Sequence, residues 1–174
     1  MGRMKKSSEK DVLDVLFVCT GNTCRSPMAR VLLNRRLTGT KIEDRVRVDS
    51  AGLMAHEGMP ASGMSLEVTR RHGLDLESHR SKPVTEELVH RTDLFIVMHE
   101  THKLMLEKIE AASRKKIRLL GEFNPSERLN LDIRDPFGGG SEDYETVFDE
   151  ISVAVDGLYD WIEQLLRNSG GKEA

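Results

Sequence analysis

Short apolar runs of strand length alternate with helix-patterned segments along this chain, and that alternation restricts the fold more than any other feature. Val12 to Val18 (VLDVLFV) is a continuous apolar run suited to a buried strand. Pro27 to Leu37 follows as a helix. Ser26 is placed to cap it, Pro27 to open it, and Gly39 lies beyond its basic end at Arg35 and Arg36. Arg45 to Ala51 alternates like a strand, and Ala61 to His72 reads as a second helix stopped by Gly73. Asp93 to Met98 is a third strand, Glu100 to Ala111 a third helix, and Lys116 to Leu120 a fourth strand. In the last element, Glu142 to Leu166, one helix face carries Tyr144, Val147, Phe148, Ile151, Val155, Leu158, Ile162 and Leu165, with Ser141 as its N-cap. This order predicts a three-layer α/β/α sandwich, a four-stranded parallel sheet with helices on both faces. Ligands of such sheets lie beyond the carboxyl ends of the strands.

The 174 residues suit one domain with a proper core, spanning residues 11–168, with tails at 1–10 and 169–174. A chain 38% hydrophobic and 32% charged fits a globular, water-soluble protein. A net charge of −3 gives no support for broad nucleic-acid binding. No apolar run reaches the ~18 residues of a membrane span, and the opening MGRMKKSSEK has no apolar core of a signal peptide. Two cysteines cannot build a disulfide-dense scaffold, so a reducing cytoplasm is the expected setting. A monomer without a cofactor or metal is expected.

Both cysteines lie in FVCTGNTCRSP, Phe17 to Pro27, between the first strand and the first helix. Zinc would want about four Cys or His ligands, usually in two close pairs. Cys19 and Cys24 supply one pair, and His99-x-x-His102 reads instead as two half-exposed helix histidines. A structural disulfide between Cys19 and Cys24 would close only a tiny loop, which contributes least to stability. The third possibility suits the position. Cys19 to Arg25 form a C-x5-R loop whose successive backbone N–H groups can point inward as an anion nest. The next helix adds the positive end of its dipole. Gly21 allows a tight turn, and Arg25 can grip two phosphate oxygens at once. A free thiol is only a few per cent thiolate at neutral pH, and each of these features favours the anion. Ser26 can add a hydroxyl hydrogen bond to the Cys19 sulfur. The loop is neither a Walker loop nor a dinucleotide fingerprint, since GK[ST] and G-x-G-x-x-G are both absent.

With these residues the chain resembles the low-molecular-weight protein tyrosine phosphatase family from Val12 to about Leu166. The resemblance is carried by VLFVCTGNTCRSPMA, DSAG (Asp49 to Gly52), GLDLESHRS (Gly73 to Ser81), DLFIVM, His102-Lys103 and DIRDPFGG (Asp132 to Gly139). It implies a four-stranded parallel sheet in flavodoxin-like order, in agreement with the alternation above. It also implies that Cys19 is a nucleophile forming a cysteinyl-phosphate, that Arg25 clamps the phosphoryl oxygens, and that Asp135 is the general acid and then activates water. Thr20, Gly21, Asn22, Thr23, Cys24 and Ser26 would line the phosphate cradle, with Phe137 at the substrate. Asn22 and Ser50 resemble a pair that holds the loop in shape, and His79 a support behind it. Phosphorylated proteins would be the partners.

Tyrosine-directed members usually carry a bulky aliphatic residue where this chain has Thr23, and an aromatic segment where it has Phe137-Gly138-Gly139-Gly140. Both departures resemble the bacterial protein arginine phosphatases, so phosphoarginine is the expected substrate and phosphotyrosine the alternative. A threonine is smaller and offers a hydroxyl to the planar guanidinium, which Phe137 can stack on and Asp135 can pair with. In the family, a cysteine placed like Cys24 can form a reversible disulfide with the nucleophile. Arsenate reductases with a similar loop need further cysteines, and none follows Cys24. A phosphate-binding module that has lost catalysis is the non-enzymatic rival, disfavoured by the joint presence of Cys19, Arg25 and Asp135.

Overall fold

The computed structural model describes residues 12–126 and 130–170. The expected amino-terminal tail lies outside the described residues, as do residues 171–174. Four parallel strands make one sheet in the order β2-β1-β3-β4. They are β1 (Leu13–Cys19), β2 (Val46–Gly52), β3 (Leu94–Val97) and β4 (Ile117–Leu119). Each expected strand is present within a residue or two of its predicted ends.

The strands alternate their side chains between two cores, as the pleat requires. Val15 and Phe17 of β1 face α1 (Arg25–Leu37), α2 (Gly63–Arg71) and the long α5 (Ser141–Gly170). Leu16 and Val18 face the other side, where Leu88 and Val89 of α3 (Glu86–Arg91) and Leu106 of α4 (Glu100–Ile109) cover the sheet. The three-layer sandwich is thus the observed architecture. No described helix is long and apolar enough to cross a membrane.

The strand order puts the switch point between β1 and β3. From β1 the chain crosses to β2 on one side, then returns to β3 on the other. The loops after β1 and β3 therefore diverge and leave a crevice at the carboxyl end of the sheet.

Several local expectations are corrected. Ser26 does not cap α1: it lies inside the helix, which begins at Arg25, and its hydroxyl is used elsewhere. Ser141 is the first helical residue of α5 rather than its cap. The Gly140 N–H is bonded instead by Asp143 Oδ2 at 3.0 Å. That helix runs to Gly170, so Ser169 and Gly170 of the expected tail are helical. Leu166 rather than Leu165 faces the core. The six-residue α3, capped by the Thr85 hydroxyl, was not foreseen. At Gly157 of α5 the absent side chain matters, because a Cβ there would lie 2.0 Å from the Phe123 carbonyl oxygen.

Candidate active site

Strand β1 ends on Cys19, and the next five residues turn into α1 around its sulfur. Cys19 is 3% exposed. The Asn22 backbone N–H points at Sγ from 3.3 Å, and Ser26 Oγ is 3.0 Å away. Ser26 Oγ accepts a bond from Asn22 Nδ2 at 2.9 Å, so its own proton is directed to the sulfur or to the Ala51 carbonyl 3.5 Å away. The loop bends at Asn22, which adopts a left-handed φ of 55°. Gly21, expected to make the turn, has no positive φ, and a Cβ there would meet only Thr23 Oγ1 at 3.6 Å.

Asn22 is fully buried and bonded on every side. Besides Ser26, its amide donates to Ser50 Oγ at 3.0 Å and accepts from the Lys82 backbone N–H at 3.0 Å. Its own carbonyl lies 2.7 Å from His79 Nε2. Asn22, Ser50 and His79, all named from the sequence, are thus brought together behind the loop.

Arg25 is buried at the first position of α1. Its Nη1 donates to the Ile133 carbonyl at 3.0 Å and its Nη2 to Asp135 Oδ2 at 2.5 Å. The Ile133 N–H is in turn bonded to the Met98 carbonyl at 2.7 Å, so the late loop is tied to the end of β3. Asp135 is half-exposed, and Phe137 beside it is 79% exposed. Cys19, Thr20, Gly21, Thr23, Cys24, Arg25, Asp135 and Phe137 together line a cavity of about 220 Å³. This arrangement gathers a sulfur nucleophile, the Asn22 N–H, the Ser26 hydroxyl, a guanidinium and a carboxyl around one small space, a set suited to phosphoryl transfer through a thiol.

Other contacts at the site were not foreseen. Cys24 Sγ lies 3.3 Å from Tyr144 Oη and 3.4 Å from Ser62 Oγ. Burial and the bond to Cys24 push the Tyr144 phenol up to about 12. His102, expected to be half-exposed, is buried, and its Nε2 is 2.9 Å from Thr20 Oγ1. His99 instead caps α4 and pairs with Asp132 at 3.0 Å. Gly52 abuts Cys19 across the β1–β2 register, and a Cβ there would lie 2.6 Å from the Thr20 carbonyl oxygen and 2.8 Å from the Asn22 nitrogen. DSAG marked the segment, yet nothing local in it told of that approach.

Residues 14–169 match the family model described as low molecular weight phosphotyrosine protein phosphatase. The chain belongs to that family. It is a cysteine-based protein phosphatase whose substrates are phosphorylated proteins. The low molecular weight protein-tyrosine phosphatase A of Mycobacterium tuberculosis is 37% identical over 164 residues, covering 92% of this chain and 98% of the relative. The human low molecular weight phosphotyrosine protein phosphatase is 33% identical, covering 82% and 91%. Among solved structures, the YwlE arginine phosphatase of Geobacillus stearothermophilus superposes with a TM-score of 0.78 at 35% identity, covering 90% of this chain and 96% of that one.

Two expected outcomes follow from the geometry. Gly52→Ala forces the Thr20 and Asn22 backbone to shift. Overpacking of this kind costs about 1–3 kcal/mol, and the measured result is a lower melting temperature with a larger loss of phosphatase turnover. The buried histidines set an acid limit to stability. Burial, and then the nearby Arg25 and His99 charges, lower His102 from 6.5 to about 4. Burial also lowers His79, against the raising effect of its bond to Asn22. Their folded pKa values lie below the unfolded value, so the unfolded chain takes up protons first as pH falls. The His102 contribution is complete above pH 6.5 and is lost on the way down to about 4. Urea midpoints measured from pH 7 to 5 are expected to fall, and less steeply in His102→Gln.

Proposed function

We propose that this phosphatase hydrolyses phosphoarginine residues of proteins. Cys19 Sγ attacks phosphorus as the thiolate, the P–N bond breaks, and Asp135, protonated from solvent once it has left Arg25, gives that proton to the leaving nitrogen. Phosphoryl oxygens compete with Asp135 for Arg25 Nη2, which releases the carboxyl toward the leaving atom. Arg25 and the inward N–H groups hold the charge that builds on the phosphoryl group. In the second step Asp135 takes a proton from water as the water attacks the cysteinyl-phosphate, returning Cys19 and inorganic phosphate. Asn22, Ser50 and His79 keep the loop in shape through both steps.

The observation that carries the arginine reading is the rim of the cavity over Cys19. Thr23 stands there half-buried, and Phe137 is the one aromatic side chain among the lining residues. A guanidinium leaving group has N–H donors and a flat face. A threonine hydroxyl, a carboxylate and a single exposed ring answer to those features. A phenyl ring is better served by a rim of aliphatic and aromatic side chains. The likeness to an arginine phosphatase supports the reading, and the tyrosine phosphatase of similar identity keeps phosphotyrosine as the alternative. We take the enzyme to act as a monomer in a reducing cytoplasm, where free cysteines persist.

The deciding measurement is phosphate release from an arginine-phosphorylated protein and a tyrosine-phosphorylated peptide, with Cys19→Ser as the blank. Preference for phosphoarginine, reduced about tenfold in Thr23→Ile, is expected. Preference for phosphotyrosine moves the enzyme to the other substrate, and no turnover on either favours a binding module. Cys24 supplies an oxidised off-state in this reading, by condensing with a sulfenic acid on Cys19 to give a disulfide and water. Peroxide-inactivated enzyme is then expected to recover with thiol, whereas Cys24→Ser does not. Equal recovery of both removes the disulfide.

A further inference from the structure

His102 stands beside the cleft with no part in the steps above. It lies in the first turn of α4 and is 4% exposed. While Nε2 meets Thr20 Oγ1, the other ring nitrogen, Nδ1, has no hydrogen-bond partner among the described residues. A buried nitrogen without a partner lowers stability, and an apolar side chain could fill the space without that loss. What an imidazole adds here is the bond to Thr20. That bond spans the crevice at the switch point, since Thr20 follows β1 and His102 belongs to the helix after β3.

Thr20 is where the bond reaches the substrate. It borders the cavity over Cys19, and also a second, polar cavity of about 540 Å³ that includes His99, Asn130, Asp132 and Arg134. Arg25 and Asp135 border both as well. A leaving group attached to phosphorus at Cys19 passes this wall on its way to the surface. The hydrogen-bond inventory limits what Thr20 offers it. If His102 donates from Nε2, Thr20 Oγ1 keeps one lone pair. If Thr20 donates to Nε2, it keeps two. In both tautomers an acceptor remains. A guanidinium carries donors only, whereas a phenolic leaving group brings no N–H.

We propose that His102 is a positioning residue for leaving-group recognition: it holds the Thr20 hydroxyl so that a lone pair of Oγ1 accepts an N–H of the departing guanidinium. The inference rests on the phosphoarginine reading and adds a second hydroxyl to the one at Thr23.

The test compares kcat/KM on an arginine-phosphorylated protein with kcat/KM on p-nitrophenyl phosphate, whose leaving group has no N–H. The ratio is expected to drop about tenfold in Thr20→Val, the scale of one hydrogen bond to a charged group. It drops as far in His102→Leu, and no further in the double variant, because both changes remove one interaction. His102→Gln, which restores an amide near the Nε2 position, recovers most of the ratio. Melting temperatures separate these effects from misfolding, and Thr20→Val, nearly isosteric, tests the inference without the buried histidine. Equal losses on both substrates, or additive losses in the double variant, overturn it. A wild-type enzyme that prefers a tyrosine-phosphorylated peptide overturns the phosphoarginine reading itself. A wild-type preference for phosphoarginine with an unchanged ratio in the variants overturns this inference alone.

Discussion

The buried side chain of Asn22 is the joint on which the site depends. A residue with a Cβ in left-handed backbone is strained by about 1 kcal/mol or more, and Asn22 is held there at φ 55° by its partners. Its amide binds Ser26 in α1, Ser50 in β2 and the backbone of Lys82, and its carbonyl meets His79. Three stretches of chain, in α1, in β2 and at residues 79–82, thus fix this one residue. The result is local: the Asn22 N–H aims at Cys19 Sγ, and the Ser26 hydroxyl is held 3.0 Å from the same atom. A buried network of this kind holds one geometry only when its members are all satisfied, which is the preorganisation that stabilising a charged phosphoryl group needs.

The sheet supplies the rest of the geometry. Cys19 ends the central strand β1, beside Gly52 at the end of β2. The carbonyl of Met98, just past β3, holds Ile133, whose own carbonyl holds Arg25. By this route the late loop delivers Asp135 to a residue 110 positions earlier in the chain. The buried guanidinium needs a counter-charge, and it finds one in a carboxylate that is half-exposed and so able to exchange with an incoming phosphoryl group.

The sequence was legible wherever the decisive contacts are contiguous. The four strands and the C-x5-R loop depend on runs of neighbouring residues, and the parallel sheet follows from their alternation with helices. Short or shared features were not legible. Helix α3 has six residues, too few for a helical period to declare itself. Ser26 and Ser141 each have the right residue type for an N-cap, yet Ser26 is drawn onto the Cys19 sulfur and a carboxylate from the first turn of α5 serves Gly140. Gly21 looked like the turn residue because it is a glycine, while the left-handed conformation went to Asn22, whose amide had partners to stabilise it.

By itself the sequence determined the sheet, the order of its elements, and the chemical inventory of Cys19, Arg25 and Asp135, because local patterning and residue type carry that information. Tertiary structure decided which hydrogen bonds those groups make. That Gly52 must lack a Cβ, that His102 is buried against Thr20, and that Tyr144 and Ser62 adjoin Cys24 are outcomes of segments distant in sequence meeting at the carboxyl end of the sheet. No periodicity or spacing encodes such meetings, since the crevice exists only once β1 and β3 lie side by side and their loops part in opposite directions.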